Sequence, residues 1–228
     1  MSHPAARYLR TATEDVLAYV RSAPGTYAWL VILLINTIIM DHFSPRFRYH
    51  FVLHHSTNLR ELSHDPIRVL ISSALWLDGG HWWPYLILYS LFHAPAERWL
   101  GSWRWLLVVV ISHVGATYLS QSVVYYNISH GTAPASDAFV ADIGVSYALA
   151  GVEGVLTYLI TAPWRYFYVA GLVIYYGVAM LGDWDFTDLG HFTALLLGLA
   201  CYPLTRDRAG SWDPVLSLRS VWTRVRSE

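Results

Sequence analysis

A serine and a histidine stand near the starts of two apolar stretches rich in small residues: Ser146 within 137–154 and His191 within 189–198. Within hydrogen-bond reach, an imidazole can take the proton of a serine hydroxyl and turn it into a nucleophile. Gly144 lies two residues before Ser146, where unbonded N–H groups at a helix start could stabilise an oxyanion. His81 opens another apolar stretch, and Asp142 and Asp188 precede Ser146 and His191 by four and three residues. His81 is a candidate oxyanion auxiliary. Asp142 is a candidate acceptor for His81 or His191. Asp188 either orients His191 or caps its helix, and capping is the favoured role.

Glu153 and His113 lie deep in apolar runs, where an unpaired carboxylate is expensive. They are expected to form a buried hydrogen-bonded pair with a structural role. His81, Asp142, Asp188 and His191 also mix the ligand types that suit zinc. No His-x-x-x-His or His-Glu-x-x-His spacing accompanies them, so no metal and no cofactor is expected. His54, His55 and His130 read as solvated loop residues.

The elements that must position these groups are membrane helices. Apolar residues make up 55% of the 228-residue chain and charged residues only 14%, against roughly 25% charged in an average soluble domain. The eleven tryptophans suit helix ends at a headgroup belt. A single cysteine excludes a disulfide framework. The net charge of −1 gives no footing for nucleic acid. Bilayer and membrane-protein partners are expected instead.

Six spans are predicted: Tyr27–Met40, His81 to about Arg98, Trp103–Tyr125, Ala138–Leu159, Tyr166–Leu181 and Leu189–Leu204. The first is short against the roughly 20 residues a bilayer requires. Residues 1–24 read as a cytoplasmic segment with a short amphipathic helix, 25–205 as the membrane domain, and 206–228 as an arginine-rich cytoplasmic tail with Trp212 and Trp222 as interface anchors. Residues 41–79 form a long connection in the headgroup zone, where Asp65-Pro66 supplies a cap and first-turn proline for a helix through Leu77. Arginines at the N-terminus, the 97–104 and 162–166 turns and the tail put both termini in the cytoplasm. The four arginines of the first loop run against that rule unless the loop is interfacial.

Ser146, Ala150 and Gly154 follow one another at i+4, and His191, Ala194 and Gly198 form a second stripe. Such surfaces let membrane helices approach closely, which would bring serine and imidazole together. Here the chain resembles the rhomboid family of intramembrane serine proteases, over roughly residues 25–205. The likeness rests on Gly144-Val-Ser146, on His191 with Ala194 and Gly198, on His81, and on Glu97-Arg-Trp-Leu-Gly101. It implies an all-α, six-span rhomboid-like bundle in a bacterial plasma membrane, in a divergent actinobacterial-type member. It further implies a Ser146–His191 dyad, His81 assisting at the oxyanion, and cleavage of single-span membrane proteins near the outer surface.

Three departures accompany it. Tyr85 replaces the family's asparagine after His81, and no Trp-Arg dipeptide occurs in the first loop. Matching Gly144, Tyr147 and Gly151 to the family pattern would put Ile143 at the nucleophile position. That register implies an inactive rhomboid pseudoprotease binding membrane-protein clients. A metal-dependent membrane hydrolase is a third reading.

Overall fold

The computed structural model describes residues 4–77, 81–182, 184–208 and 211–217; Trp222 lies outside them. The described chain is helical, with one isolated bridge between Ile160 and Trp212. Helices are numbered in chain order: α1 (Pro4–Arg21), α2 (Pro24–Asp41), α3 (Pro45–His55), α4 (Leu59–His64), α5 (Pro66–Ser73), α6 (Trp82–Leu88), α7 (Ala94–Leu100), α8 (Ser102–Ser129), α9 (Val145–Leu156), α10 (Trp164–Ala179) and α11 (Phe186–Ala200). A π turn over Tyr89–His93 joins α6 to α7 without a break, so 82–100 is one helical stretch. By length and composition α2 and α8 are apolar enough to cross a membrane, while α9 and α11 are shorter apolar helices.

The centre of the molecule is α9, packed between α8 and α11, which also touch each other. Small residues set that spacing. A side chain at Gly198 would collide with the backbone of Gly151, and one at Gly154 with the Leu195 carbonyl. The closest approach therefore runs through Gly151 and Gly154, with Ala150 and Ala194 buried beside them. Ala150 and Gly154 of the expected stripe thus face α11, and Ser146, one turn earlier, is half-buried. The main core wraps the other side of α9, where Trp29, Leu33, Tyr89, Trp105 and Val152 meet.

Long-range polar contacts tie the outer helices to this centre. The first turn of α2 has no side-chain cap of its own, Ala23 being its N-cap. Its free N–H groups are met instead by buried Glu97 of α7. The carboxylate accepts from the Gly25 and Thr26 amides at 2.8 and 2.7 Å, from the Thr26 hydroxyl at 2.8 Å and from the Ser102 hydroxyl at 2.6 Å. Gly101, at φ 83°, then turns the chain sharply from α7 into α8, a backbone state open to glycine. At the same end of the bundle Arg165 donates to the carbonyls of Thr157, Tyr158 and Ile160 just beyond α9. Arg104 does the same for Leu204 and Arg206 beyond α11.

Over its described residues, 41–77, the first connection is largely helical. Ser44, Asn58 and Asp65 each accept an amide at the starts of α3, α4 and α5, and α5 ends at Ser73, short of Leu77. The fourth apolar stretch also differs from expectation. Residues 135–139 form a 3-10 turn, and helix begins only at Val145. The intervening chain is held out of the helix because Thr57 bonds the Asp142 carbonyl through both its amide (2.9 Å) and its hydroxyl (3.1 Å).

Candidate functional site

Eleven of the twelve residues of α9 are buried; the exception is Ser146. It is the second residue of the helix, after N-cap Gly144, and the first intrahelical bond runs from the Ala148 amide to the Gly144 carbonyl. The amides of the first turn are thus free of helical partners. The Ser146 hydroxyl donates to the Ile143 carbonyl at 3.4 Å. Together with His191 it opens on a cleft of about 400 Å³, completed by Leu149, by Tyr175, Tyr176 and Ala179 of α10, and by Asp188.

His191 sits in the second turn of α11 between two aromatic rings. Tyr147 meets it edge-on at 5.0 Å between centroids, and Tyr176 lies nearly parallel to it at 6.0 Å. The Tyr147 hydroxyl runs up against Gly190, where a larger residue would collide with it. Serine and imidazole thus share one cleft, but the serine's hydrogen bond goes to its own backbone and not to the ring.

The N-terminus of α11 is fixed by a capping box. Asp185 accepts from the Thr187 and Asp188 amides at 2.8 and 3.0 Å, and Asp188 accepts from the Asp185 amide at 3.1 Å. Partial burial pushes the Asp185 carboxyl up. The bonds from Thr187 and the Asp188 amide outweigh that and hold it below the usual aspartate value. Asp188 therefore serves the cap while its side of the helix faces the cleft. Asp185 was missed by sequence reasoning, although Asp-x-x-Asp ahead of an apolar run is a capping signal.

The other candidates lie elsewhere. The buried carboxylate of Asp142 accepts from the Gln121 amide of α8 at 3.0 Å, and not from His81 or His191. His81, exposed at the start of α6, lines a separate cleft between α2, α3 and α6 with Asn36, Asp41 and Trp76. Tyr85 and Ile143 both pack on the main core. Gly144 is a close-approach point, since a side chain there would collide with the His113 ring.

Glu153 and His113 do not pair. Glu153 turns to α10, where Tyr176 donates to its carboxylate at 2.7 Å and Tyr168 to its carbonyl at 3.0 Å. His113 turns to the first loop, bonding the Leu70 carbonyl at 2.9 Å and the Ser73 hydroxyl at 3.4 Å. A tyrosine on a neighbouring helix supplies the donor the carboxylate requires, and no spacing within the sequence pointed to it.

Among the described residues the molecule is all-helical, with α2 and α8 long and apolar enough to cross a membrane and the shorter apolar α9 and α11 at its centre, which suits an integral membrane protein. A family model described as rhomboid-like protein matches residues 18–211, most of the chain. The chain belongs to that rhomboid-like family. No curated protein and no solved structure matches it.

Proposed function

We propose that this chain is an intramembrane serine protease that cleaves single-span membrane proteins, with Ser146 as nucleophile and His191 as base. The single observation that carries the reading is the exposure pattern of α9. The central helix is enclosed everywhere except at a serine, and that serine opens on the cleft lined by the histidine. In the reaction, the Ser146 oxygen forms a bond to the scissile carbonyl carbon as its proton passes to the imidazole. The tetrahedral oxyanion is met by unbonded first-turn amides of α9. Its collapse breaks the C–N bond, and the imidazolium gives its proton to the leaving amine. Water then hydrolyses the acyl-enzyme by the same route. A turn of the Ser146 side chain away from the Ile143 carbonyl brings the hydroxyl into use. His81, on its separate cleft, has no part in this scheme.

In the same reading six helical stretches cross a bacterial plasma membrane: α2, 82–100, α8, α9, α10 and α11. Both termini lie in the cytoplasm, flanked by the 1–24 segment and the tail after residue 205. The contacts of Tyr147 favour a second reading. Its ring meets His191, which suits the register where position 143 would carry the nucleophile, and Ile143 there offers only an apolar side chain packed on the core. That would make the chain a pseudoprotease that binds membrane-protein clients. A fluorophosphonate probe separates the two. Labelling of the detergent-purified protein that disappears in Ser146→Ala and falls sharply in His191→Ala supports the protease; no Ser146-dependent labelling ends it.

A further inference from the structure

A third cavity lies away from both the serine and His81, at the end of the bundle that bears Arg98, Arg104, Arg165 and Arg206. It measures about 780 Å³ and runs between the π turn and α7 on one side and α10 on the other, with the end of α9 as its floor. This is within the ~300–1,000 Å³ of small-molecule sites. The lining is apolar and aromatic, including Phe92, Trp99, Leu159, Tyr168 and Trp212, with one cation, Arg98, at the rim. The Trp212 indole is brought over the groove by backbone pairing. Its amide donates to Leu159 at 2.8 Å and its carbonyl accepts from the Thr161 amide at 3.0 Å.

Charge identifies the occupant. Arg104 and Arg165 spend their donors on backbone carbonyls, so their positive charge is not cancelled. Among the described residues none of Arg98, Arg104, Arg165 and Arg206 pairs with a carboxylate, in contrast to Arg48 and Arg68 of the first loop. Arg98 is exposed, and its guanidinium rests over the Tyr19 ring at 4.8 Å, which orients it at the groove mouth. The buried Trp99 indole N–H beside it has no partner among the described residues. An apolar groove with one uncompensated arginine at its rim, at an end of the bundle that carries three more, matches an acyl chain and a phosphate.

We propose that this groove is a selective site for an anionic phospholipid of the adjoining leaflet, with an acyl chain between α7 and α10 and the headgroup phosphate at Arg98. The proposal is independent of Ser146 and His191.

The test is native mass spectrometry of the full chain in mild detergent with equimolar phosphatidylglycerol and phosphatidylcholine of identical acyl chains. One arginine at a membrane surface contributes about a fivefold preference for an anionic lipid. Phosphatidylglycerol adducts should exceed phosphatidylcholine adducts by about that factor, and Arg98→Gln should abolish the excess. Arg60→Gln, at the first loop, should leave it intact. Leu159→Trp, which fills the groove, should remove both adducts while the protein remains monodisperse. Equal retention of the two lipids, a preference that survives Arg98→Gln, or adducts that survive Leu159→Trp overturns the assignment. So does displacement of phosphatidylglycerol by a stoichiometric single-span peptide, which would give the groove to a membrane helix instead.

Discussion

Replacing Glu97 by alanine should be the most damaging single polar substitution in the bundle. The carboxylate is 1% exposed and accepts from two α2 amides, the Thr26 hydroxyl and the Ser102 hydroxyl. Alanine leaves all four donors without an acceptor. Valued at the membrane-protein average of ~0.6 kcal/mol, four such bonds amount to about 2.5 kcal/mol. Valued as buried donors deprived of a charged acceptor, they cost more, and about 5 kcal/mol is a fair upper figure. For a chain of this length the lower figure corresponds to a loss of about 5–10 °C in Tm. Glu97→Gln keeps one carbonyl oxygen as acceptor, so it should fall between alanine and the parent. The measurement is thermal unfolding of the purified protein in dodecyl maltoside, followed by tryptophan fluorescence. If Glu97→Ala melts with the parent, or Glu97→Gln melts below Glu97→Ala, then α2 is not held by this carboxylate.

Three further outcomes are expected. Gly198→Ala puts a methyl group against the Gly151 backbone and should cost about 1–3 kcal/mol through forced separation of α9 and α11; unchanged unfolding would show that the helices have room. Tyr176→Phe removes the donor to the Glu153 carboxylate and should destabilise the protein by about 1–3 kcal/mol. Adding Glu153→Leu to Tyr176→Phe should restore most of that loss, and a double variant less stable than Tyr176→Phe contradicts it. The Asp185 carboxyl is held below its unfolded value, so its contribution is present above the usual aspartate range and fades as pH falls through the lowered value. Asp185→Asn should flatten that acid limb of stability below the usual aspartate value by an amount near the ~1 kcal/mol of a helix cap; an unchanged limb would mean the cap is not ionised.

The meeting of α9 with α11 was legible because small residues recur at helical spacing in both, Ala150 and Gly154 in one and Ala194 and Gly198 in the other. Hydropathy marks where apolar chain lies, and that is why the start of α9 was misplaced. Residues 138–144 are apolar enough to read as helix, and contacts distant in sequence, Thr57 to the Asp142 carbonyl and Gln121 to its carboxylate, hold the chain before Val145 out of it. The partners of Glu153 and Asp142 were hidden for the same reason, since tyrosine on α10 and glutamine on α8 are neighbours in space alone. Whether 143 or 146 faces the imidazole depends on helix rotation to within one turn, finer than residue type can resolve.

The brevity of α9 has a consequence for the membrane around it. Twelve residues give about 18 Å of helix, little more than half of a ~30 Å hydrocarbon layer. A lone segment that short would force the surrounding lipids to thin. Sheathed by its neighbours, α9 meets almost no lipid, so its length answers to the protein and not to the bilayer. The depth of Ser146 is thereby set by the chain that suspends it. Transfer into thicker or thinner lipid strains the perimeter helices first and leaves the serine at the same height relative to its histidine.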